Sequence, residues 1–305
     1  MHNDQSTSKH SFSLLDNAPL VVLCLLAIDS LHFVFARLLL PYLPPATGGM
    51  YVLGAATVEV ALFLAIWDKI QFDLLRRHLR YFLSIGFLVA TSTTLNYTAV
   101  GYIDPGTAAL LSKAAILFSL AFGLVWLRER LTPTQAAGAL VALMGVFIIT
   151  FQPGDYWRIG SLLMLLSTFS YALHAALVKR QSEAIRLGEF FLFRVACTTL
   201  FLFLFALAQG QLAWPGGRAW LILLLAGTVD ITISRGLYYV ALRRMDLSYH
   251  TIVLMISPVV AIVWSMFLFD IWPTIQQLVG GAAVLAGVMV VTMDKARMMR
   301  TAVRN

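Results

Sequence analysis

Charge is what this chain has least of. Only 12% of its 305 residues are charged and 60% are apolar, where soluble domains carry roughly a quarter charged residues. So little charge excludes an ordinary soluble domain of this length. Cysteine is almost missing too. Cys24 and Cys197 both lie inside apolar stretches, which rules out a disulfide framework or a thiolate metal site. There is no HExxH, no GxSxG and no GxxxxGK[ST] in the chain. Zinc-peptidase, hydrolase-elbow and nucleotide-loop readings therefore lose their anchors. A net charge of +7 would fit nucleic acid only if the basic residues formed a stripe with aromatics, and here they sit in short gaps between apolar runs. Residues 1–17 lack the cationic start, short apolar run and small-residue cleavage site of a leader, so no removal is expected.

What the chain does have is long apolar runs. A bilayer-crossing helix needs about 20 mostly apolar residues. By that measure ten stretches qualify: 19–40, 47–67, 80–100, 104–126, 133–151, 158–178, 188–209, 217–241, 247–269 and 273–293. Helix breakers fill the gaps, among them Pro44-Pro45, Asp104-Pro105-Gly106, Pro133, Pro153-Gly154, Pro215-Gly216-Gly217 and Pro273. With the N-terminus inside, Lys9, Lys69, Arg76, Arg77, Arg80, Arg128, Arg130, Lys179, Arg180, Arg186, Arg243, Arg244, Lys295, Arg297, Arg300 and Arg304 all fall on the cytoplasmic side. Only Arg158 and Arg218 fall on the other. That asymmetry requires an even number of crossings with both termini cytoplasmic. The expected fold is an all-α integral membrane protein of ten transmembrane helices. A bacterial cytoplasmic (inner) membrane is the expected location.

The chain also repeats itself. A constant offset of 142 residues aligns His32 with His174, Ser92 with Ser234, Tyr97 with Tyr239, Asp104 with Asp246, Gln135 with Gln277, Gly138 with Gly280 and Gly145 with Gly287. The expected organisation is a tail over 1–18, one repeat over 19–152, a second over 158–293 and a basic tail over 294–305. Five spans per repeat is an odd number, so the second repeat enters the bilayer from the opposite face. Inverted repeats of this kind place a substrate site near the midplane, at the interface between the halves.

The run Asn96-Tyr97-Thr98-Ala99 to Asp104, then Leu110-Leu111, Leu127-Arg128-Glu129-Arg130-Leu131, Gln135, Gly138 and Gly145, resembles the second part of an EamA repeat. Its counterpart runs through Tyr238-Tyr239-Val240-Ala241-Leu242, Ser257-Pro258, Gln277, Gly280 and Gly287. The resemblance covers essentially the whole chain and implies the ten-helix EamA branch of the drug/metabolite transporter superfamily. It implies a central cavity lined by the third, fourth, eighth and ninth helices, with the fifth and tenth at the periphery. It also implies export of amino acids or similar metabolites. Ile116 stands where the family has its fourth-helix proline, and Arg128 where it has a glycine. The second-half acid, Asp270, comes one position early. The second helix lacks the family's arginine, which the seventh keeps as Arg194.

Ionisable residues inside the spans are the sharpest remaining signal. Each costs about 2.5–3.5 kcal/mol at the centre of an inserting helix, so Asp29, Arg37, Glu59, Lys113, Arg194, Asp230 and Arg235 must pair, snorkel or line a wet cavity. Lys113 either meets substrate or forms an ion pair with Asp29, Glu59 or Asp230. Asp29 and His32, one turn apart, form either a proton relay or a fixed hydrogen bond. Asp230 has Ser234 four residues on for local satisfaction. Glu59 faces either the cavity or away from it. Arg235 can stack on Tyr238 or Tyr239. Tyr97, Tyr239 and Trp264 serve packing or the site, and Pro258 is a hinge or a static kink within the ninth helix. The glycines Gly138, Gly280, Gly281 and Gly287 read as close helix packing or dimerisation.

These readings converge on a secondary transporter, most naturally an exporter, that moves a small polar or amphoteric metabolite by alternating access, with protons as a coupling ion. No cofactor and no metal is expected, and the partners expected are the substrate, lipid and at most a second copy of the chain. An intramembrane lipid- or metabolite-processing enzyme and a metabolite-binding membrane sensor are the alternatives.

Overall fold

The first and fourth apolar stretches each divide into two helices and the eighth changes helix type part-way, and those departures shape the molecule. The computed structural model describes residues 18–67, 70–125, 132–150, 159–180, 185–234, 237, 254 and 256–304. The first stretch divides into α1 (Ala18–Asp29) and α2 (His32–Leu39). The second is α3 (Pro45–Trp67), followed by the short α4 (Phe72–Arg77) and then α5 (Leu79–Ala99). The fourth divides into α6 (Pro105–Ser112) and α7 (Ala115–Val125). Next come α8 (Pro133–Thr150), α9 (Ile159–Arg180), α10 (Leu187–Ala208) and α11 (Gly217–Leu225). The last of these runs on as a π-helical segment, Ala226–Ile233. The chain ends in α12 (Ser257–Phe269) and α13 (Ile275–Arg304). No strand occurs among the described residues, and six of the helical spans are long and apolar enough to cross a membrane.

The breaks have local causes. At the first, the Ser30 hydroxyl donates to the carbonyl of Ala27 at 2.8 Å. At the second, the Ser112 hydroxyl donates to Ala109 at 2.7 Å. In each case a serine competes with the backbone for a helix carbonyl, and the turn tightens to i→i−3 bonds from Leu31 to Ile28 and from Lys113 to Leu110. Pro258 is expected to be a hinge or a static kink within the ninth helix, and residues 247–253 of that stretch lie outside the described residues. Pro258 occupies the first turn of α12, where its missing N–H has no intrahelical partner to lose. The basic C-terminal segment is helical as far as Arg304, because nothing after Gly287 is a helix breaker and its Met, Ala, Lys and Arg residues favour helix.

Two identical caps start α8 and α13. Gln135 N–H donates to Thr132 Oγ1 at 3.1 Å while Thr132 N–H reaches Gln135 Oε1 at 3.4 Å. In the second repeat, Gln277 N–H donates to Thr274 Oγ1 at 3.2 Å and Thr274 N–H to Gln277 Oε1 at 2.7 Å. Each is a reciprocal Thr-x-x-Gln capping box that satisfies two orphan donors. The two helices then pack on each other with almost no side chain between them. A Cβ on Gly138 would lie 2.8 Å from the carbonyl oxygen of Gly287, and one on Gly145 would lie 2.6 Å from that of Gly280. Gly280 and Gly287 are the repeat partners of Gly138 and Gly145, so the contacts exchange when the repeats are exchanged. Reciprocal contacts of this sort belong to a two-fold-related pair. Two further pairings also join equivalent spans of the two repeats, α3 on α10 and α6 on α12.

Candidate functional site

Helix breaks at membrane depth leave backbone groups that lipid cannot satisfy, so they must face protein or a wet cavity. Here they face a cavity. It encloses about 290 Å³ and is lined by both repeats: α1, α2, α3, α5, α6, α7, α9 and α10, the π-helical segment, and Ser257 at the start of α12. Of the residues singled out in the sequence, Asp29, His32, Tyr97, Lys113 and Asp230 all reach it. Arg235, Tyr238 and Tyr239 lie outside the described residues.

The partners differ from those the sequence implied. His32 Nδ1 lies 2.7 Å from Asp230 Oδ2, so the carboxylate bonded to this imidazole nitrogen comes from the opposite repeat rather than from Asp29. The reason is the break between α1 and α2, which removes the helical turn that would stack residue 29 beneath residue 32. With Nδ1–H donating to Asp230, Nε2 is the acceptor, and the Asn96 side-chain nitrogen sits 3.5 Å from it. Tyr97 packs edge-on to the same imidazole at 6.2 Å. Asp230 does not use Ser234 either. Ser234 Oγ has no partner among the described residues, because the wide π turn puts residue i+5, not i+4, over residue i.

Asp29, the last residue of α1, accepts from Ser257 Oγ at 3.2 Å. Lys113 caps the end of α6 and donates from Nζ to the carbonyl of Leu254 at 3.0 Å. It stands close enough to Asp29 for their charges to interact. The break after α6 thus hands its lysine to the interruption that precedes α12, in the equivalent span of the other repeat. Glu59 turns out to serve a different place. It does not line the cavity, and its two carboxylate oxygens accept from Thr228 Oγ1 and Thr232 Oγ1 of the π-helical segment, each at 2.6 Å. Trp264 is also outside the lining. Its indole N–H reaches Ser30 Oγ at 3.1 Å and the Ala27 carbonyl at 3.3 Å, bracing the α1–α2 break from behind. Arg37 caps the far end of α5, donating to the Val100 and Ile103 carbonyls with Phe269 under its guanidinium.

Sequence reasoning passed over a layer of uncharged polar residues. Ser92, Thr93 and Asn96 of α5, Ser167, Thr168 and Tyr171 of α9, and Thr198 of α10 all line the cavity, as does the charged Arg194 of α10 that the sequence had singled out. Ser92 and Ser167 join their helices directly, Oγ to Oγ at 2.9 Å. The signal was present as polar residues recurring every three or four positions in α5 and α9, a stripe on one helical face. These side chains are small and hydroxyl-rich, suited to several weak hydrogen bonds rather than covalent chemistry. Among the described residues no group of three His, Cys, Asp or Glu side chains could hold a metal.

Two stretches of the chain, 17–151 and 158–293, match the model of the EamA-like transporter family. The chain belongs to that family. It is an integral, multi-pass membrane protein. Among curated relatives of this EamA-like transporter, a 189-residue match at 25% identity covers 61% of the chain and 62% of "Uncharacterized transporter YdfC" from Bacillus subtilis (strain 168). A 92-residue match at 35% identity covers 28% of the chain and 36% of "Uncharacterized transporter in sor 3'region" from Acidianus ambivalens. The chain therefore spans less than two thirds of the length of either relative. A crystal structure described only as that of a protein superposes with a TM-score of 0.63 at 17% identity, covering 91% of this chain and 98% of that one. At that identity the likeness speaks for the fold.

Proposed function

We propose that this EamA-like transporter exports a small amphoteric metabolite, of the size and charge of an amino acid or a derivative, across the bacterial cytoplasmic membrane. Ten spans in two inverted repeats, with both termini cytoplasmic, provide two related ways of closing the cavity, one toward each face. The observation that carries the reading is the cavity itself. It lies between the halves and is lined by charges of both signs, Asp29 and Lys113 among them, in a wall rich in hydroxyl groups. A zwitterion can answer charges of both signs at once, whereas a purely apolar ligand would leave them unanswered.

Proton coupling runs through the His32–Asp230 pair in this proposal. Histidine is the side chain whose charge changes most readily near physiological pH, and this one ties the break in the first span to the π-helical segment of the eighth. The test is counterflow of radiolabelled amino acids in proteoliposomes containing the purified protein. Saturable counterflow that is lost in Lys113→Ala and Asp29→Asn is expected. Absence of counterflow for every amino acid, with correctly folded protein in the membrane, would sink the proposal.

A further inference from the structure

Of the seven ionisable residues singled out within the apolar stretches, six are among the described residues, and five of those have an answering group. Asp29 has Ser257, Arg37 the Val100 and Ile103 carbonyls, Glu59 two threonine hydroxyls, Lys113 the Leu254 carbonyl, and Asp230 has His32. Arg194 is the sixth. It lines the cavity, yet its side chain makes no hydrogen bond or ion pair with any described residue, and Nε is buried with no acceptor. Glu189, one turn and a half earlier on the same helix, is committed to the Gln71 N–H at 3.0 Å.

A guanidinium left unanswered at membrane depth is costly. It also offers a planar fork of donors that matches a carboxylate in two parallel hydrogen bonds. Seven residues into α10, it lies roughly 10 Å from that helix's cytoplasmic end, nearer the cytoplasm than Asp29 and Lys113. We infer that Arg194 is the docking point for the carboxylate of the transported metabolite, which lies with its acidic end toward the cytoplasm. This rests on the amphoteric-metabolite reading above and adds its orientation. The substrate then completes the charge balance of the cavity. A molecule lacking the carboxylate leaves Arg194 desolvated and alone, which makes the residue a selectivity filter as well as an anchor.

The test is binding to the purified full chain, read by thermal shift and then by titration. The probes are the twenty standard amino acids, their α-carboxamides, the matching decarboxylated amines, and inorganic phosphate. We expect at least one amino acid to bind wild type about tenfold or more tightly than its carboxamide. Arg194→Gln should erase that preference, and Arg194→Lys, which keeps the charge but not the fork, should retain part of it. Equal binding of acid and amide to wild type overturns the inference while leaving the amphoteric cavity standing. So does a preference that survives Arg194→Gln, or a phosphate shift without an amino-acid shift. If no probe binds wild type, the amphoteric-metabolite reading falls and this inference with it. Should Arg194→Gln not purify as a monodisperse protein, the wild-type ratio of acid to amide and the Arg194→Lys variant decide the matter.

Discussion

Thr57 of α3 and Thr199 of α10, equivalent residues 142 positions apart, meet with their Oγ1 atoms 3.3 Å from one another. A residue can touch its own repeat counterpart only if both lie on the axis that relates the repeats. Cysteines at these two positions, in a background with Cys24 and Cys197 replaced by serine, should therefore form a cross-link on mild oxidation in membranes. Cleavage engineered between residues 151 and 158 would reveal it as a failure of the halves to separate on a denaturing gel. Two reactive but unlinked thiols would remove α3 and α10 from the axis.

The glycine contacts between α8 and α13 make a prediction with a built-in control. A side chain at Gly145 would begin 2.5 Å from the Val284 amide nitrogen and 2.6 Å from the Gly280 carbonyl oxygen. Neither backbone atom can move aside cheaply. Gly145→Val should lower stability by about 1–3 kcal/mol or more, seen as a lower melting temperature in detergent. Gly217→Ala, which meets nothing within 4 Å, should leave it nearly unchanged. Equal effects would show that α8 and α13 are not in backbone contact.

The pair formed by His32 and Asp230 should show energetic coupling. Asp230 is almost completely buried and His32 only partly, with side-chain exposures of 4% and 29%. Losing the imidazole strands a buried carboxylate, so His32→Ala should cost about 1–3 kcal/mol. His32→Ala combined with Asp230→Ala should cost less than the sum of the single changes by at least 0.5 kcal/mol or so. Strict additivity in thermal melts would dissolve the pair.

Glu59 should tolerate what Asp29 does not. Glu59 is bonded to Thr228 and Thr232, away from the cavity, and a glutamine can accept from one threonine while donating to the other. Glu59→Gln should keep transport within about twofold of wild type, as expected for a neutral hydrogen-bonding replacement, whereas Asp29→Asn should abolish it. Transport assays that reverse this order would move the functional carboxylate to α3.

The capping boxes give a graded stability series. Thr274→Ala should cost about 0.5–2 kcal/mol through loss of one cap. Gln277→Leu should cost more, because Gln277 Nε2 also donates to Asp104 Oδ2 at 3.0 Å. Asp104 is itself the cap of α6, holding Thr107 by N–H at 2.8 Å and by hydroxyl at 2.6 Å. A smaller effect for Gln277→Leu in calorimetry would detach the two repeats at this point.

Much of this architecture can be read from composition and period. The apolar runs located most of the described helices to within a few residues, although α13 continues to Arg304. The 142-residue offset named the seam glycines as counterparts, though each meets the other pair's member rather than its own counterpart. It named Gln135 and Gln277 as counterparts without revealing the capping boxes, which needed the threonine three residues earlier to be read with them. Partners across the cavity were not legible at all. His32 lies 198 residues from Asp230 and Lys113 lies 141 from Leu254, and no local spacing encodes such meetings. Nor was the π-helical segment legible, since its residues have ordinary helical composition. Its wide turn sends Asp230 toward the cavity and Thr228 and Thr232 toward Glu59. Arg194 was visible as an ionisable residue in an apolar run, but its want of a partner emerges only once the partners of all the others are known.

The bare glycine seam between α8 and α13 has a mechanical corollary. Backbone laid on backbone leaves no compressible side chains and so little slack for the two helices to slide. In the alternating access proposed above, rocking of one half over the other would pivot along this line, like a door on its post. Its travel is then spent at the opposite wall, where the interrupted first span and the π-helical segment of the eighth have the looser hydrogen bonding needed to absorb it.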